Sequence, residues 1–392
     1  MREFKTAKGW AILIYATAPL LIGLFTWLLV EPFVHENADG ALTNAYWFLA
    51  PLSIGMIGLM GYGLIETKKW KFVIDSDKIY AAGTFSRRQL RFDEIKGYRI
   101  DDNYISIEPN VAGKKKINIS TYLGKTDEIV EWLSSYYPDL DLLHAEQEEQ
   151  EILENEELGW TIEQREEKLL RARKTAKVLN WVGGLFGAWA FFWPAPYELA
   201  IVASITVPIV AVAALKLSSG LIRIDERKDS AYPSILWAVL APSMGLCLRA
   251  LLDYNIFSHN NVWIPSSVIA FAMITVLMIG NKEFKFKKAV DYFSVLVIAS
   301  ILFAYSYGSI ITVNCMNDNS EPVVFNAKVL SKRISSGKST TYYLELTPWG
   351  LQKEIEEVSV SQDLYEQLER DDLVSIYFMK GYLGIPWFIV TD

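Results

Sequence analysis

The chain has 392 residues, of which 51% are hydrophobic and 21% charged. Such a mixture arises when apolar blocks alternate with ordinary polar domains, so the two or three soluble domains that length alone suggests are set aside. The formal net charge of −8 excludes a nucleic-acid binder that relies on a basic face, and two cysteines, Cys247 and Cys315, are too few for a disulfide framework or a thiolate zinc site.

Three histidines, His35, His144 and His259, lie on unrelated segments, and neither a metal nor a cofactor is expected. A helix needs about 20 apolar residues to cross a hydrocarbon core about 30 Å thick. The first apolar block runs from Gly9 to Val30 behind Arg2, Lys5 and Lys8. Ala16-Thr17-Ala18 looks like a signal cleavage site. A cut there would leave the apolar region too short, and the run continues to Val30, so an uncleaved span is expected. The second block, Ala45 to Ile65, is crowded with Gly55, Gly58, Gly61 and Gly63, which suits close helix packing.

From Lys69 the pattern changes to short strands. Phe72-Val73-Ile74 and Ile79-Tyr80-Ala81 flank Asp75-Ser76-Asp77, and Gln89 to Phe92 and Gly97 to Ile100 follow. Ile105 and Ile107, then Ile117 and Ile119, alternate with polar residues. Thr126 is expected to cap a helix with Ile129, Leu133 and Tyr136 on one face, ended by Pro138. Antiparallel strands closed by one helix, just after two transmembrane blocks, resemble the bacterial PH-like domain of multi-pass membrane proteins. The stretch from Phe72 to Tyr80, Gly83 and the turn from Phe92 to Gly97 are similar to that family's opening. The resemblance implies a non-enzymatic module that binds lipids, peptides or proteins. Arg87, Arg88, Arg91, Lys114, Lys115 and Lys116 form its candidate lipid or partner surface, with a solvated strand face as the plain alternative.

Asp139 to Glu157 carries no Lys or Arg and reads as a solvated helix or linker. Thr161 and Gln164 then form a capping box that opens a helix running into the third apolar block. That block is Val178 to Ala195, with Gly183 and Gly187 spaced for helix packing and compatible with oligomerisation. Four more blocks follow: Leu199 to Leu217, Tyr232 to Leu252, Val262 to Ile279 and Val290 to Val313. The third and fourth could instead form a re-entrant hairpin. Pro208 and Pro242 fall mid-block and should kink their helices, whereas Pro233 and Pro265 are expected at helix starts. Connections rich in Lys and Arg alternate with connections that have none, which predicts the N-terminus inside and the C-terminus outside a bacterial plasma membrane. The candidate intramembrane polar site is Arg249 with Asp253 four residues later. It lies near the outer surface, where Arg249 can snorkel toward the headgroups.

Beyond Pro322, Val323 to Val329 and Tyr342 to Leu346 alternate as strands across the turn Ser335 to Lys338. A third strand near Lys353 to Val360, a short helix capped by Ser361, and strands at Leu373 to Met379 and Pro386 to Val390 complete the order of an OB-like barrel. Gly337-Lys338-Ser339-Thr340 is not a phosphate loop, because Lys332 stands where the leading glycine belongs and a strand follows. Aromatic faces of such barrels bind ligands, but Tyr342, Tyr343, Trp349, Tyr382 and Trp387 read first as core. The expected fold class is a membrane α-helical protein of about seven transmembrane helices, with a PH-like β-barrel-plus-helix domain inside and a small OB-like β domain outside. The boundaries are helices 1–2 at 1–68, the PH-like domain at 69–138, an acidic linker and juxtamembrane helix at 139–177, helices 3–7 at 178–313 and the outer domain at 314–392. The expected function is a non-enzymatic scaffold or sensor with membrane lipids and proteins as partners. A transporter or channel is the alternative.

Overall fold

The computed structural model describes residues 1–34, 40–336 and 340–392. The chain divides into two compact units, residues 1–148 with 228–230, and residues 149–227 with 231–392.

The first unit begins with a strand that the sequence conceals. Strand β1 (Arg2–Lys5) precedes two long helices, α1 (Lys8–Val34) and α2 (Gly40–Lys69), and pairs antiparallel with β2 (Lys71–Ile74) on their far side. Phe4 lies opposite Phe72, and both are buried. A four-residue strand with one core residue carries too little periodicity to be read locally. The pairing has a topological consequence: the chain enters and leaves the helical hairpin at one sheet, so α1 and α2 return it to the side where it began.

Next in the chain come β3 (Lys78–Ala82), β4 (Arg87–Arg91), β5 (Ile95–Ile100), β6 (Tyr104–Pro109) and β7 (Ile117–Ser120). They make a four-stranded sheet, β1-β2-β3-β4, and a three-stranded sheet, β5-β6-β7. The segment after β7 meets the N-terminal strand, with the Gly124 amide donating to the Lys5 carbonyl at 2.9 Å and the Ala7 amide to the Tyr122 carbonyl at 3.0 Å. Both sheets enclose one core of alternating residues, including Ile79, Leu90, Ile105, Ile107, Ile117 and Ile119. Helix α3 (Thr126–Tyr136) lays Ile129 and Leu133 on that core. Two details of its expected helix are corrected. Lys125, with φ of 66°, stands at the N-cap position and no side chain caps the helix. Tyr136 is exposed, because the register carries Trp132 and Tyr137 onto the core instead. The acidic segment forms α4 (Leu140–Glu154).

The helical bundle of the second unit is made of α5 (Ile162–Phe192), α6 (Tyr197–Leu217), α7 (Leu236–Leu252), α8 (Trp263–Met278) and α9 (Ala289–Met316). Thr161 caps α5, accepting from the Gln164 amide at 3.3 Å, while the Gln164 side chain reaches the Trp160 amide rather than closing a full capping box. The connection between α6 and α7 packs on the connection between α8 and α9. Glu283 accepts from the Ile224 and Asp225 amides at 3.2 and 2.8 Å, and burial holds its carboxyl above the usual range despite those donors. Lys216 donates to the Leu277 and Ile279 carbonyls at the same end.

Among the described residues, four helices are long and apolar enough to cross a membrane: Lys8–Glu31, Tyr46–Lys69, Tyr197–Leu217 and Ala289–Met316. The expected third block occupies the last half of α5, whose first half is charged. The fifth and sixth blocks form shorter apolar helices of 17 and 16 residues. At 1.5 Å per residue these span about 25 Å, less than a typical core. The fifth is shortened because residues 231–235 are not helical. The Arg223 amide donates to the Pro233 carbonyl at 3.0 Å and the Arg223 carbonyl accepts from the Ile235 amide at 3.0 Å, so Pro233 lies in this connection rather than at a helix start. Pro208 and Pro242 sit inside α6 and α7 as expected. Tyr305 of α9 donates to the Ile205 carbonyl at 2.8 Å, in the turn before Pro208.

The C-terminal region is one six-stranded antiparallel sheet, nearly closed and barrel-like. Its strands are β8 (Asn255–Ile256), β9 (Val323–Ser336), β10 (Thr340–Leu346), β11 (Glu356–Val360), β12 (Leu373–Met379) and β13 (Trp387–Thr391), with α10 (Gln362–Gln367) between the fourth and fifth. The order is β11-β10-β9-β12-β13-β8. The expected turn at 337–339 lies outside the described residues. Strand β8 comes from the connection between α7 and α8, so the helical bundle supplies an edge of this sheet.

Candidate functional sites

The basic set predicted on the first unit is partly assembled. Strand β4 is an edge of its sheet, and Arg87, Arg88 and Arg91 stand on it. Arg88 donates to the Lys116 carbonyl at 2.8 Å, which brings the two basic runs together. Acids dilute the set. Arg91 pairs with Asp93 at 3.2 Å and Lys114 with Glu94 at 2.6 Å. The Lys114 ammonium, with the Arg91 amide, holds the Glu94 carboxyl below the usual range. Arg87 lies over the Tyr80 ring at 5.2 Å. Among the described residues no acid pairs with Arg87, Arg88, Lys115 or Lys116. Each such cation near an anionic bilayer contributes about 1 kcal/mol of attraction. Charge on an edge strand also blocks pairing with foreign strands.

The second predicted pair, Arg249 with Asp253, is in contact and has a further partner. Arg249 pairs with Asp253 at 3.0 Å and turns its other guanidinium nitrogen to the Phe191 carbonyl, in the last turn of α5. A helix C-terminus leaves carbonyls without intrahelical donors and carries partial negative charge. Arg249 therefore caps a neighbouring helix. Asp253 accepts from the Tyr197 hydroxyl at 2.9 Å, and the Tyr254 hydroxyl donates to that of Tyr197 at 3.0 Å. Burial pushes the Tyr254 phenol up to about 12. The network thus ties the ends of α5, α6 and α7.

A second polar junction, unread from sequence, joins α9 to the barrel-like sheet. Asn314 is fully buried and accepts from the Leu383 and Ile385 amides at 2.8 and 3.3 Å while donating to the Ile385 carbonyl at 2.9 Å. Its backbone carbonyl accepts from the Tyr382 amide. Asp318 accepts from the Trp387 indole at 2.8 Å and from the Ser320 and Gly381 amides. Burial acts to raise this carboxyl, but those donors outweigh it and hold the pKa below the ordinary value. Gly381 has φ of 77°, and an added Cβ would lie 2.2 Å from the Ile385 carbonyl oxygen, so only glycine fits. An Asn directly after an apolar block was the available signal for this junction.

Gly183 and Gly187 are used inside the chain. A Cβ at either would fall 2.5 Å from backbone atoms of Ala238 or Ala241 on α7, so these glycines set the α5–α7 approach rather than offering an oligomer face. Of the ligand-bearing aromatic candidates, Trp349 and Trp387 are core, whereas Tyr382 is exposed. His144 contacts the Asp229 carbonyl at 2.7 Å within the first unit, and His259 stacks near Trp263 and Tyr307; His35 lies outside the described residues. Among the described residues, no group of three or more His, Cys, Asp or Glu side chains could hold a metal. Comparison with protein-family models, curated proteins and solved structures gave no match.

Proposed function

We propose that the chain is a multi-pass protein of a bacterial plasma membrane that acts without catalysis as a scaffold or sensor, binding partners through β domains on opposite faces. In this reading α1, α2 and α5 to α9 make seven crossings. The shorter α7 and α8 are accommodated by local bilayer thinning and flanking residues. The four-stranded and three-stranded sheets with α3 form a PH-like cytoplasmic domain, whose basic edge meets anionic lipid or a protein. The C-terminal sheet, with a helix between its third and fourth long strands, is an OB-like domain outside.

The observation that carries the proposal is how each β domain is built into helix ends. Strands β1 and β2 flank the hairpin directly, and β8 with Asn314 joins the barrel-like sheet to α7, α8 and α9. A partner that shifts either sheet therefore shifts helix ends, which suits signalling or assembly more than turnover. Substrate flux in proteoliposomes is the opposing test. The proposal expects none, and flux lost in Arg249→Leu would make the chain a transporter. For sidedness, Ser359→Cys should react with an impermeant maleimide in intact spheroplasts and Ser134→Cys only after lysis. Equal labelling would overturn the opposed domains.

A further inference from the structure

We infer that the second unit carries a built site for an anionic glycerophospholipid where α5 passes from charged to apolar sequence. Two adjoining clefts make it. The polar cleft, about 420 Å³, is lined by Arg173, Lys177 and Arg227, with Glu226 as its one acid among the described lining residues. The apolar groove, about 460 Å³, lies between the exposed rings of Trp181 and Trp237 and beside Leu185. Asn180 and Trp181 belong to both, so the two are continuous. Gly184 floors the groove, and nothing stands within 4 Å of the place a side chain would occupy.

The lining charges select the occupant. Arg173 is paired with Glu149, and Arg227 with Asp225 and Asp291. Lys177 is exposed, and among the described residues no acid pairs with it, which leaves a cation at the mouth. Lys177 is also the last charge of α5 before fifteen residues that carry none, Val178–Phe192, so an ammonium there lies at headgroup depth if the helix enters a bilayer. An inorganic anion would match only the polar cleft and a neutral lipid only the apolar groove. An anionic headgroup on an acyl chain matches both, with the chain lying across Gly184 between the indoles.

The test uses the full chain in detergent micelles, titrated with brominated phosphatidylglycerol or brominated phosphatidylcholine, reading Trp fluorescence against a Trp181→Phe control. The expected result is quenching by phosphatidylglycerol at about fivefold lower concentration, the preference that one interfacial cation supplies. Lys177→Gln should remove the preference and Gly184→Leu should weaken quenching by both lipids. Gly184→Leu fills open space and favours the helix, so folding is retained and confirmed by an unchanged melt. Equal quenching by the two lipids, a preference that survives Lys177→Gln, or full displacement by millimolar inorganic phosphate would overturn the site.

Discussion

The α1–α2 hairpin and the α5–α9 bundle are both apolar and glycine-bearing, yet they are packed differently. Only 6% of the most apolar stretch of α1 or α2 is buried, against 44% for α6 and 61% for α9. Gly55, Gly58, Gly61 and Gly63 in α2 have nothing within 4 Å of an added Cβ, whereas Gly183, Gly187 and Gly308 in the bundle each hold two backbones in contact. Glycine on an apolar helix therefore permits close approach without specifying it. At Gly183 and Gly187 the facing positions on α7 are themselves small, Ala238 and Ala241, whereas Gly308 meets the backbone at Leu246 and Cys247.

The sharpest way to break this contrast is a matched pair of substitutions. Gly187→Leu should force α5 from α7 and cost more than about 3 kcal/mol, since overpacking a close contact has no relief. Gly58→Leu should be neutral or slightly stabilising, because leucine favours helix over glycine. Thermal melts in detergent compare them directly, and equal losses would show that the hairpin glycines are packed as well.

Phe4→Ala tests whether the hairpin is held by its own sheet. Removing this buried ring should cost about 3 kcal/mol and expose β1 to protease, because the strand has no other core residue. An unchanged cleavage pattern would mean that β1 does not anchor the hairpin. On the bundle side, Asn314→Leu should cost about 2 kcal/mol by leaving the Leu383 and Ile385 backbone groups without partners. Limited proteolysis should then cut between residues 317 and 323 and release the barrel-like domain; resistance equal to the parent's would place the junction elsewhere.

The smallest effect is pH-dependent. The Asp318 carboxyl has a folded pKa below its ordinary value of 3.8, so its contribution is complete above that value and is lost as pH falls through the folded pKa. The melting difference between the parent and Asp318→Ala should be constant above about pH 5 and shrink in stronger acid. A difference that grows with acid would reverse the assignment.

Much of the local structure was legible because period-two alternation in Ile105–Ile107, Ile117–Ile119 and Tyr342–Leu346 places residues on one face of a strand wherever that strand goes. Apolar length similarly identified α1, α2, α6 and α9, and the spacing of Arg249 and Asp253 identified a helix pair. Partners were not legible. The contact of Arg249 with the end of α5 has no local signal, and Glu94 neutralises Lys114 only because a hairpin brings them together. Composition and periodicity therefore determined which segments are apolar helices, which are strands and which carry charge. Tertiary structure alone decided that residues 2–5 complete a sheet across a helical hairpin, that Asn255–Ile256 completes another, and that Gly187 is filled while Gly58 is open. Those outcomes depend on hydrogen bonds and close contacts between residues far apart in the chain, and no local pattern records which distant backbone will satisfy a donor or occupy a gap.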